Sequence, residues 1–260
     1  MVNLEALIVK AERGPMRKFP PGPVLWANAK LHWIFGEPEL HEIQKLVRPG
    51  TLAVDVGAHF GTYSIPLAKL VGKQGRVVSV EPIVEDADQL KRAVAQLRLP
   101  IDVVNAAISS TNGTATINVP ALHGHAKTAL SSLEATDRAD VDAREVTVWR
   151  LDDLLAKYTL PVSFVKIDVE GHELAVLDGA LETLKTHKPN ILIEINHDSG
   201  KAHVQEVFDL IRAQGYYGEF LERGKYRRPL TAFDIDRHQM SAASDVLSDD
   251  YVNNFLFLPL

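Results

Sequence analysis

The chain has 260 residues, 46% of them hydrophobic, which is enough to bury one sizeable core. Its net charge of −6 argues against a protein that mainly grips nucleic acid backbones, and its lack of cysteine excludes disulfides and thiolate metal sites. The N-terminal residues lack the apolar core of a signal peptide, and no uninterrupted apolar run approaches the length of a membrane span. We therefore expect a soluble, cytoplasmic, globular protein with no membrane segment and no nucleic acid partner.

The N-terminal residues are predicted to form a cap ahead of the main domain. Residues 11–23 are rich in Pro and Gly, which favours a loop or lid over regular structure. Residues 38–50 then place apolar side chains at helical spacing and end in a Pro-Gly pair, which stops the helix. We assign residues 1–50 to this cap and residues 51–260 to a single domain.

From residue 51 onward, short apolar runs alternate with helical patterns. Strands are predicted at 51–56, 75–82, 101–109, 161–171, 189–197, 215–222 and 253–260, and helices at 59–72, 85–97, 151–158, 172–187 and 202–215. Two alternating stretches, 113–119 and 144–150, predict a local antiparallel pair around a polar loop. Near-continuous apolar strands separated by helices indicate an α/β fold, with a mostly parallel sheet covered on both faces.

Polar side chains, most of them acidic, stand where the predicted parallel strands end. They are Asp55, Glu81, Asn105, Asp168 with Glu170, and Glu194 with His197. In an open parallel sheet, ligands bind beyond the carboxyl ends of the strands, at the point where the strand order reverses. The sequence therefore predicts a binding site at this edge of the sheet.

The segment TLAVDVGAHFGTYS, residues 51–64, indicates what this site binds. Gly57 and Gly61 permit a tight turn and let a ligand approach backbone N–H groups closely. Asp55 would repel a diphosphate and attract a cation, and Glu81 stands where an acid accepts hydrogen bonds from ribose hydroxyls. A nucleoside with a positively charged tail suits both acids, and S-adenosylmethionine is such a molecule. The loop also lacks the glycine patterns of NAD and ATP sites.

The chain resembles the FkbM family of methyltransferases in several stretches that occur in that family's order and spacing. They are VDVGAHFGTYS, VVSVEP, VVNAAIS, the SSL at 131–133, VTVWRLDDLL, FVKIDVEGHELAVLDGA and ILIEI. The resemblance implies a Rossmann-like class I methyltransferase fold, with a seven-stranded sheet whose last strand is antiparallel. It also implies S-adenosylmethionine as methyl donor and a hydroxyl acceptor on a sugar or secondary metabolite. His59 stands where the family frequently has Asn.

The resemblance places a set of residues around the cofactor: Asp55, Gly57, Gly61, Ser64, Glu81, Asn105 and Ala106. The glycine loop would lie beside the methionine part, Glu81 would hold the ribose, and Asn105 with Ala106 would flank the adenine. Ser64 has two possible roles, as a ligand of the methionine carboxylate or as a helix cap. Glu39 likewise has two, a ligand of the methionine ammonium or an exposed acid in the first turn of a helix.

Catalysis is predicted at the ends of the fourth and fifth main strands, at Asp168, Glu170, Glu194 and His197. A hydroxyl acceptor must lose its proton, and a general base, either Asp168 or His197, would take it. The alternative is a divalent metal site made by Asp168, Glu194 and His197. Glu170 and Glu194 could instead cap the helices that follow. Lys166 is a candidate charge partner, because it shares a strand face with Asp168.

Other polar or aromatic residues have both a functional and a structural interpretation. His172 is predicted to start a helix rather than to act as a base. The basic run at 222–228 would meet an anionic acceptor or be solvated surface, and the loop at 120–140 would close over the acceptor or stay exposed. Trp26 and Trp33 would stack on a sugar ring or pack within the cap.

The sequence favours an S-adenosylmethionine-dependent O-methyltransferase that acts on a small-molecule or glycan-like hydroxyl. An N-methyltransferase of the same fold is an alternative, although the chain has INHD after the fifth strand and lacks an N/D-P-P-aromatic tetrapeptide. A non-catalytic nucleotide-binding module and an NAD-dependent dehydrogenase are further alternatives from other classes.

Overall fold

The computed structural model describes residues 20–35, 38–122, 125–126, 131–134, 141–196, 200–240 and 250–260. In chain order its strands are β1 Leu52–Val56, β2 Arg76–Val80, β3 Ile101–Val104, β4 Ala107–Ile108, β5 Gly113–Leu122, β6 His125–Ala126, β7 Val141–Trp149, β8 Val162–Ile167, β9 Asn190–Glu194, β10 Tyr216–Glu222, β11 Tyr226–Pro229 and β12 Asn254–Pro259. The α-helices are α1 Pro21–Phe35, α2 Glu39–Leu46, α3 Ser64–Val71, α4 Val84–Leu97, α5 Leu151–Leu155, α6 Glu173–Asp178, α7 Leu181–His187 and α8 Lys201–Ala213.

The main sheet has the strand order β11-β10-β12-β9-β8-β1-β2-β3. Strands β3, β2, β1, β8 and β9 are parallel, while β12 is antiparallel to both β9 and β10. The predicted α/β fold with a mostly parallel sheet is thus confirmed. The sheet has eight strands rather than seven, because the short strand β11 pairs with β10 at the edge.

Helices cover both faces of the sheet, and alternate residues of each central strand supply the two cores. Leu52, Val54 and Val56 of β1 pack in the core that contains α5 to α8, whereas Ala53 packs with α2 and α3. All five positions of β1 are therefore buried, as the continuous apolar run predicts. Asp55 follows Ala53 by two, so its side chain points towards α3.

Helix α1 corrects the prediction of an irregular segment at 11–23, of which residues 20–23 are described. The helix begins at Pro21 and carries Gly22 and Pro23 in its first turn. Proline is tolerated there because the first N–H groups of a helix have no partner within the helix. Gly22 N–H instead donates to Gln96 Oε1 at 2.7 Å, which fixes α1 on α4. The domain boundary at residue 50 stays a prediction.

A second, smaller sheet explains why the predicted strand at 101–109 is broken. Strand β3 stays in the main sheet, while β4 leaves it and pairs in parallel with β7. The antiparallel pairing of β5 with β7 confirms the local excursion predicted from the two alternating stretches. Ala107 and Ile108 of β4 and Ile117 of β5 bring this sheet to the cleft beyond the carboxyl ends of the main strands.

The basic run at 222–228 forms the hairpin between β10 and β11, and acidic side chains neutralise it. Arg227 pairs with Glu219 and with Glu42, and Arg228 pairs with Glu222 at 2.8 Å. Paired arginines of this kind are solvated surface rather than an anion site. Among the helices of the described ranges, none has the length and apolarity to cross a bilayer.

Candidate active site

A cleft opens beyond the carboxyl ends of β1, β2 and β8, where the sequence predicts a binding site. Its polar lining comes from His59, Glu81, Ser131, Ser132, Asp168, Glu170 and His172. Apolar side chains complete the lining, among them Val80, Pro82, Ile108, Ile117 and Leu133. No Lys or Arg is among the described residues that line it.

The glycine loop after β1 forms one wall of this cleft and requires its glycine at position 57. Gly57 has φ +82°, and a Cβ there would lie 1.9 Å from the carbonyl oxygen of Asp168. The close approach locks the end of β1 against the end of β8. Gly61 also has positive φ, +81°, and His59 has φ 44°. Asn and His enter this left-handed region more readily than most residues, which accounts for either one at position 59. Helix α3 consequently begins at Ser64, later than predicted.

Asp55 lies beneath the loop rather than among the residues that line the cleft. Its carboxylate accepts a hydrogen bond of 2.5 Å from Ser64 Oγ, which also contacts Ser79 Oγ at 2.7 Å. Both Asp55 and Ser64 are buried, and burial raises the pKa of Asp55 to about 6. The pair joins β1 to the first turn of α3. The Ser64 hydroxyl therefore neither caps the helix nor faces the cleft.

Glu81 follows β2 and connects the two turns that enclose the cleft. Its Oε1 accepts a hydrogen bond from the Ile83 N–H and its Oε2 accepts one from the His59 N–H, each at 2.8 Å. Although the side chain lines the cleft, Glu81 is only 4% exposed. Burial raises its pKa to about 8, while the two backbone hydrogen bonds oppose that rise.

The raised pKa of Glu81 predicts how stability depends on pH. Between the ordinary pKa of 4.5 and about 8, the folded protein holds a proton that the unfolded chain releases. The free energy of unfolding therefore falls as pH rises through this range, by up to about 1.4 kcal/mol per pH unit. Chemical denaturation between pH 6.5 and pH 8 is expected to show this fall in the parent protein and a flatter curve in Glu81→Gln. Parallel curves would contradict the assignment.

Asn105 and Ala106 stand where the chain passes from β3 to β4. The Asn105 Nδ2 group donates to the carbonyl oxygens of Glu81 and Pro82, both at 2.9 Å, and so fixes the turn that carries Glu81. Ala106 is buried and lines the cleft. Asn105 thus orders the wall of the cleft, and Ala106 forms part of its surface.

Asp168 and Glu194 are brought together by a buried lysine. Lys166 Nζ lies 3.7 Å from Asp168 Oδ2, 3.9 Å from Glu194 Oε2 and 3.2 Å from Asn254 Oδ1. The ammonium is fully buried and also lies 5.1 Å from the centre of the Tyr63 ring. The predicted pairing of Lys166 with Asp168 is confirmed. Asp168 keeps 39% of its side chain exposed and lines the cleft.

Strand β8 ends at Ile167, so the alternation argument for Asp168 and Glu170 does not extend to them. They lie instead in the turn that follows, and both still line the cleft. Glu194 is the last residue of β9 and accepts a hydrogen bond from Asn253 Nδ2 at 2.8 Å. The turn after β8, rather than a continuation of that strand, therefore brings Asp168 and Glu170 to the cleft.

A divalent metal finds no suitable donor set among the residues described. They contain no group of three His, Asp or Glu side chains placed to hold an ion. An ammonium group, Lys166 Nζ, already lies within 4.0 Å of the carboxylates of both Asp168 and Glu194. His197, the third predicted ligand and an alternative base, lies outside the described residues, as do His123 and Lys127 of the loop that is predicted to close over the acceptor or stay exposed.

His172 makes contacts that the sequence did not predict. It precedes α6, as expected for a residue that starts a helix, and it also lines the cleft. Its Nδ1 lies 2.6 Å from Glu134 Oε1, and its Nε2 lies 2.9 Å from Ser109 Oγ. The ring thereby ties the 131–134 segment to the residue that follows β4. In the sequence, the SSL motif beside Glu134 was the one indication that this segment matters. The contact between Glu134 and His172 is visible only in the tertiary structure.

The 131–134 segment contributes three residues, 131–133, to the lining of the cleft. Ser132 pairs through its backbone with Asn118 of β5, and its hydroxyl donates to the carbonyl oxygen of Glu170. Beside it, the buried Ser131 Oγ has no hydrogen-bond partner in the part of the chain that the structure describes. A buried hydroxyl without a partner is uncommon, and here it belongs to a residue that lines the cleft.

Comparison with known proteins shows similarity to methyltransferases. The family model described as Methyltransferase FkbM domain matches residues 55–217, more than half of the chain. The fold is similar to methyltransferase FkbM from Methylobacillus flagellatus KT, with 18% identity and a TM-score of 0.50, over 93% of this chain and 59% of that one. The chain thus spans less than two thirds of that protein.

A putative rRNA-methylase from Clostridium thermocellum is also similar, with 11% identity and a TM-score of 0.51, over 85% of this chain and 94% of that one. A search of curated proteins finds no significant match. Identities this low show a common fold, while the family model covers the loop, the acids and the strands that build the cleft. The chain therefore belongs to the FkbM family of methyltransferases.

Proposed function

We propose that the protein is an S-adenosylmethionine-dependent O-methyltransferase that methylates a hydroxyl on a small-molecule or glycan-like acceptor. The observation that carries the proposal is the Glu81 carboxyl group, held between two turns at the end of β2 and lining the cleft. A carboxyl group at the end of the second strand suits the hydroxyls of a ribose. Family membership supplies the reaction class.

The cleft fits a cationic nucleoside better than a diphosphate. Its acidic side chains are Glu81, Asp168 and Glu170, and none of the described lining residues is a lysine or an arginine. A sulfonium group would be attracted by the carboxylates of Asp168 and Glu170, and a diphosphate would find no lysine or arginine to pair with among the described lining residues. This arrangement favours S-adenosylmethionine over the NAD alternative.

The lining also fits the uncharged part of the cofactor. Ile108, Ile117 and Leu133 offer an apolar slot beside Ala106, suited to the faces of an adenine ring. Ser131 Oγ, buried without a partner among the described residues, would gain one from a polar edge of a bound nucleoside. These residues would hold the adenine, and Glu81 would hold the ribose.

When bound, S-adenosylmethionine supplies an electrophilic methyl group. The chain's own task is to align the acceptor oxygen with that methyl and to remove the hydroxyl proton. We assign proton removal to Asp168, whose partly exposed carboxylate lines the cleft. Lys166 fixes its orientation from the buried side, and Glu170 is the second acid in the same turn.

Loss of the Glu81 carboxylate is expected to weaken cofactor binding selectively. Glu81→Ala should reduce the affinity for S-adenosylmethionine by about 1–3 kcal/mol, the cost of leaving a buried hydrogen-bonding group without its partner. Isothermal titration calorimetry measures this change, and circular dichroism checks the fold. Glu206→Ala, at an exposed acid on α8, is the matched control and should bind as the parent does. Unchanged affinity in folded Glu81→Ala would remove Glu81 from the site.

The reaction itself is tested with labelled S-adenosylmethionine and a panel of sugar and polyketide alcohols, each paired with its amino analogue. The proposal expects the label on oxygen, identified by mass spectrometry, and none on the amine. Transfer to nitrogen would support the N-methyltransferase alternative. Cofactor binding with no methylated product would support a non-catalytic module, and NADH binding without S-adenosylmethionine binding would support a dehydrogenase.

A further inference from the structure

A second cleft lies between helices α1, α2 and α3 and shares no lining residue with the first. Its volume is about 350 Å³, within the range of small-molecule sites. Its walls come from Trp26, Lys30 and Trp33 of α1, from Gln44 of α2, and from Lys69 and its neighbours on α3. Neither the family comparison nor the methyl transfer described above gives this cleft a role.

The cleft is locally cationic in a chain whose net charge is −6. Lys30 Nζ lies 5.2 Å from the centre of the Trp26 ring, and Lys69 Nζ lies 5.4 Å from it. Both ammonium groups thus lie near the same indole ring. Among the described residues, no acidic side chain lines the cleft and neither lysine forms an ion pair. Two lysines held at one aromatic ring without a carboxylate create a site for a negative charge.

The remaining lining is apolar, which sets the shape of the ligand that fits. Trp26 leaves 38% of its surface exposed, and Ala29, Ile65, Pro66 and Leu70 line the cleft with it. Apart from the indole N–H groups of the two tryptophans, Gln44 supplies the one uncharged polar side chain among the described lining residues, and its amide already donates to the His41 carbonyl oxygen. So few hydrogen-bonding groups suit an apolar body better than a sugar ring with many hydroxyls.

We propose that this cleft binds a small amphiphilic anion, an apolar ring or chain that carries one carboxylate or phosphate. The anionic group lies between Lys30 and Lys69, and the apolar body packs against Trp26 and the α3 side chains. The site goes beyond the methyl transfer and does not depend on it. Binding here is therefore measurable without any acceptor or turnover.

The charge requirement is tested by calorimetry with 2-naphthoate and its neutral analogue 2-naphthylmethanol. Naphthoate is expected to bind about tenfold more tightly than naphthylmethanol. Added salt should lower the affinity for naphthoate but not that for naphthylmethanol. Lys30→Gln and Lys69→Gln should each weaken naphthoate by about five- to tenfold and leave naphthylmethanol unchanged. The control is Lys157→Gln, because Lys157 also lies over an aromatic ring, that of Tyr158 at 5.3 Å, but outside the cleft.

Comparison of decanoate with naphthoate shows whether the apolar body of the ligand is a lipid-like chain or an aromatic ring. Saturable binding of either anion that depends on the two lysines supports the proposal. It is overturned if neither binds saturably, if the neutral analogue binds equally well, or if both lysine substitutions leave the affinity unchanged. Displacement of naphthoate by S-adenosylhomocysteine would also overturn it, since the ligand would then occupy the first cleft. Titration of the same variants with S-adenosylmethionine separates failure of this site from failure of the proposed cofactor site.

Discussion

Asp168→Asn is expected to lower turnover by about 10²–10⁴-fold, the contribution of a positioned base, with little change in cofactor affinity. The carboxylate lines the cleft, and Lys166 holds it from behind at 3.7 Å. Asn preserves the shape of the side chain but does not accept the hydroxyl proton. Single-turnover methyl transfer measures the loss, and calorimetry with S-adenosylmethionine measures binding in the same variant.

The Asp168→Asn substitution would leave part of the buried Lys166 charge unpaired, which could destabilise the fold. A control is therefore needed to distinguish a loss of catalysis from a loss of stability. Glu194 stays within 3.9 Å of that ammonium, so we expect the variant to remain folded. Asp178→Asn, at an exposed acid that ends α6, should retain parental turnover. Folded Asp168→Asn with turnover within tenfold of the parent would place the general base elsewhere.

Gly57→Ala is expected to cost about 3 kcal/mol or more of folding free energy. Two effects combine at this position: φ is +82°, which strains any side chain, and the added Cβ would lie 1.9 Å from the Asp168 carbonyl oxygen. Relieving that overlap must separate the ends of β1 and β8, where Val56, Gly57 and Asp168 line the cleft. Chemical denaturation followed by circular dichroism measures the cost, and cofactor binding should fall with it.

Gly72→Ala isolates the conformational part of this effect. Gly72 has φ +69°, but a Cβ there would meet nothing within 4 Å. Its ψ of −170° also puts it in a region that only glycine adopts readily, so its replacement is expected to cost about 1–3 kcal/mol. If the two alanine variants lost equal stability, the close approach of Gly57 to the Asp168 carbonyl oxygen would not contribute to the cost of Gly57→Ala.

The sequence predicts the central sheet well because its strands are buried on both faces. Continuous apolar runs such as LAVDV have no other common explanation when helices alternate with them. The sequence also predicts that acids gather at the strand ends, since parallel strands present their carboxyl ends at one edge. Glu81, Asp168 and Glu170 do line one cleft.

Other features depend on contacts between distant residues and could not be predicted. Helix α1 starts with Pro and Gly, yet its N-terminus is fixed by Gln96, 74 positions away along the chain. Asp55 appears in the sequence as a ligand-facing acid, but it points towards α3 and is bonded to Ser64. The contacts of His172 with Glu134 and Ser109 likewise join residues from different elements.

The role of the first cleft is tested most directly by a crystal structure of the protein with S-adenosylhomocysteine. We expect the ribose hydroxyls within hydrogen-bond distance of the Glu81 carboxyl group and the adenine against Ala106 and Leu133. A nucleoside bound at another place, or a Glu81 side chain turned away from the ribose, would contradict the proposed cofactor site.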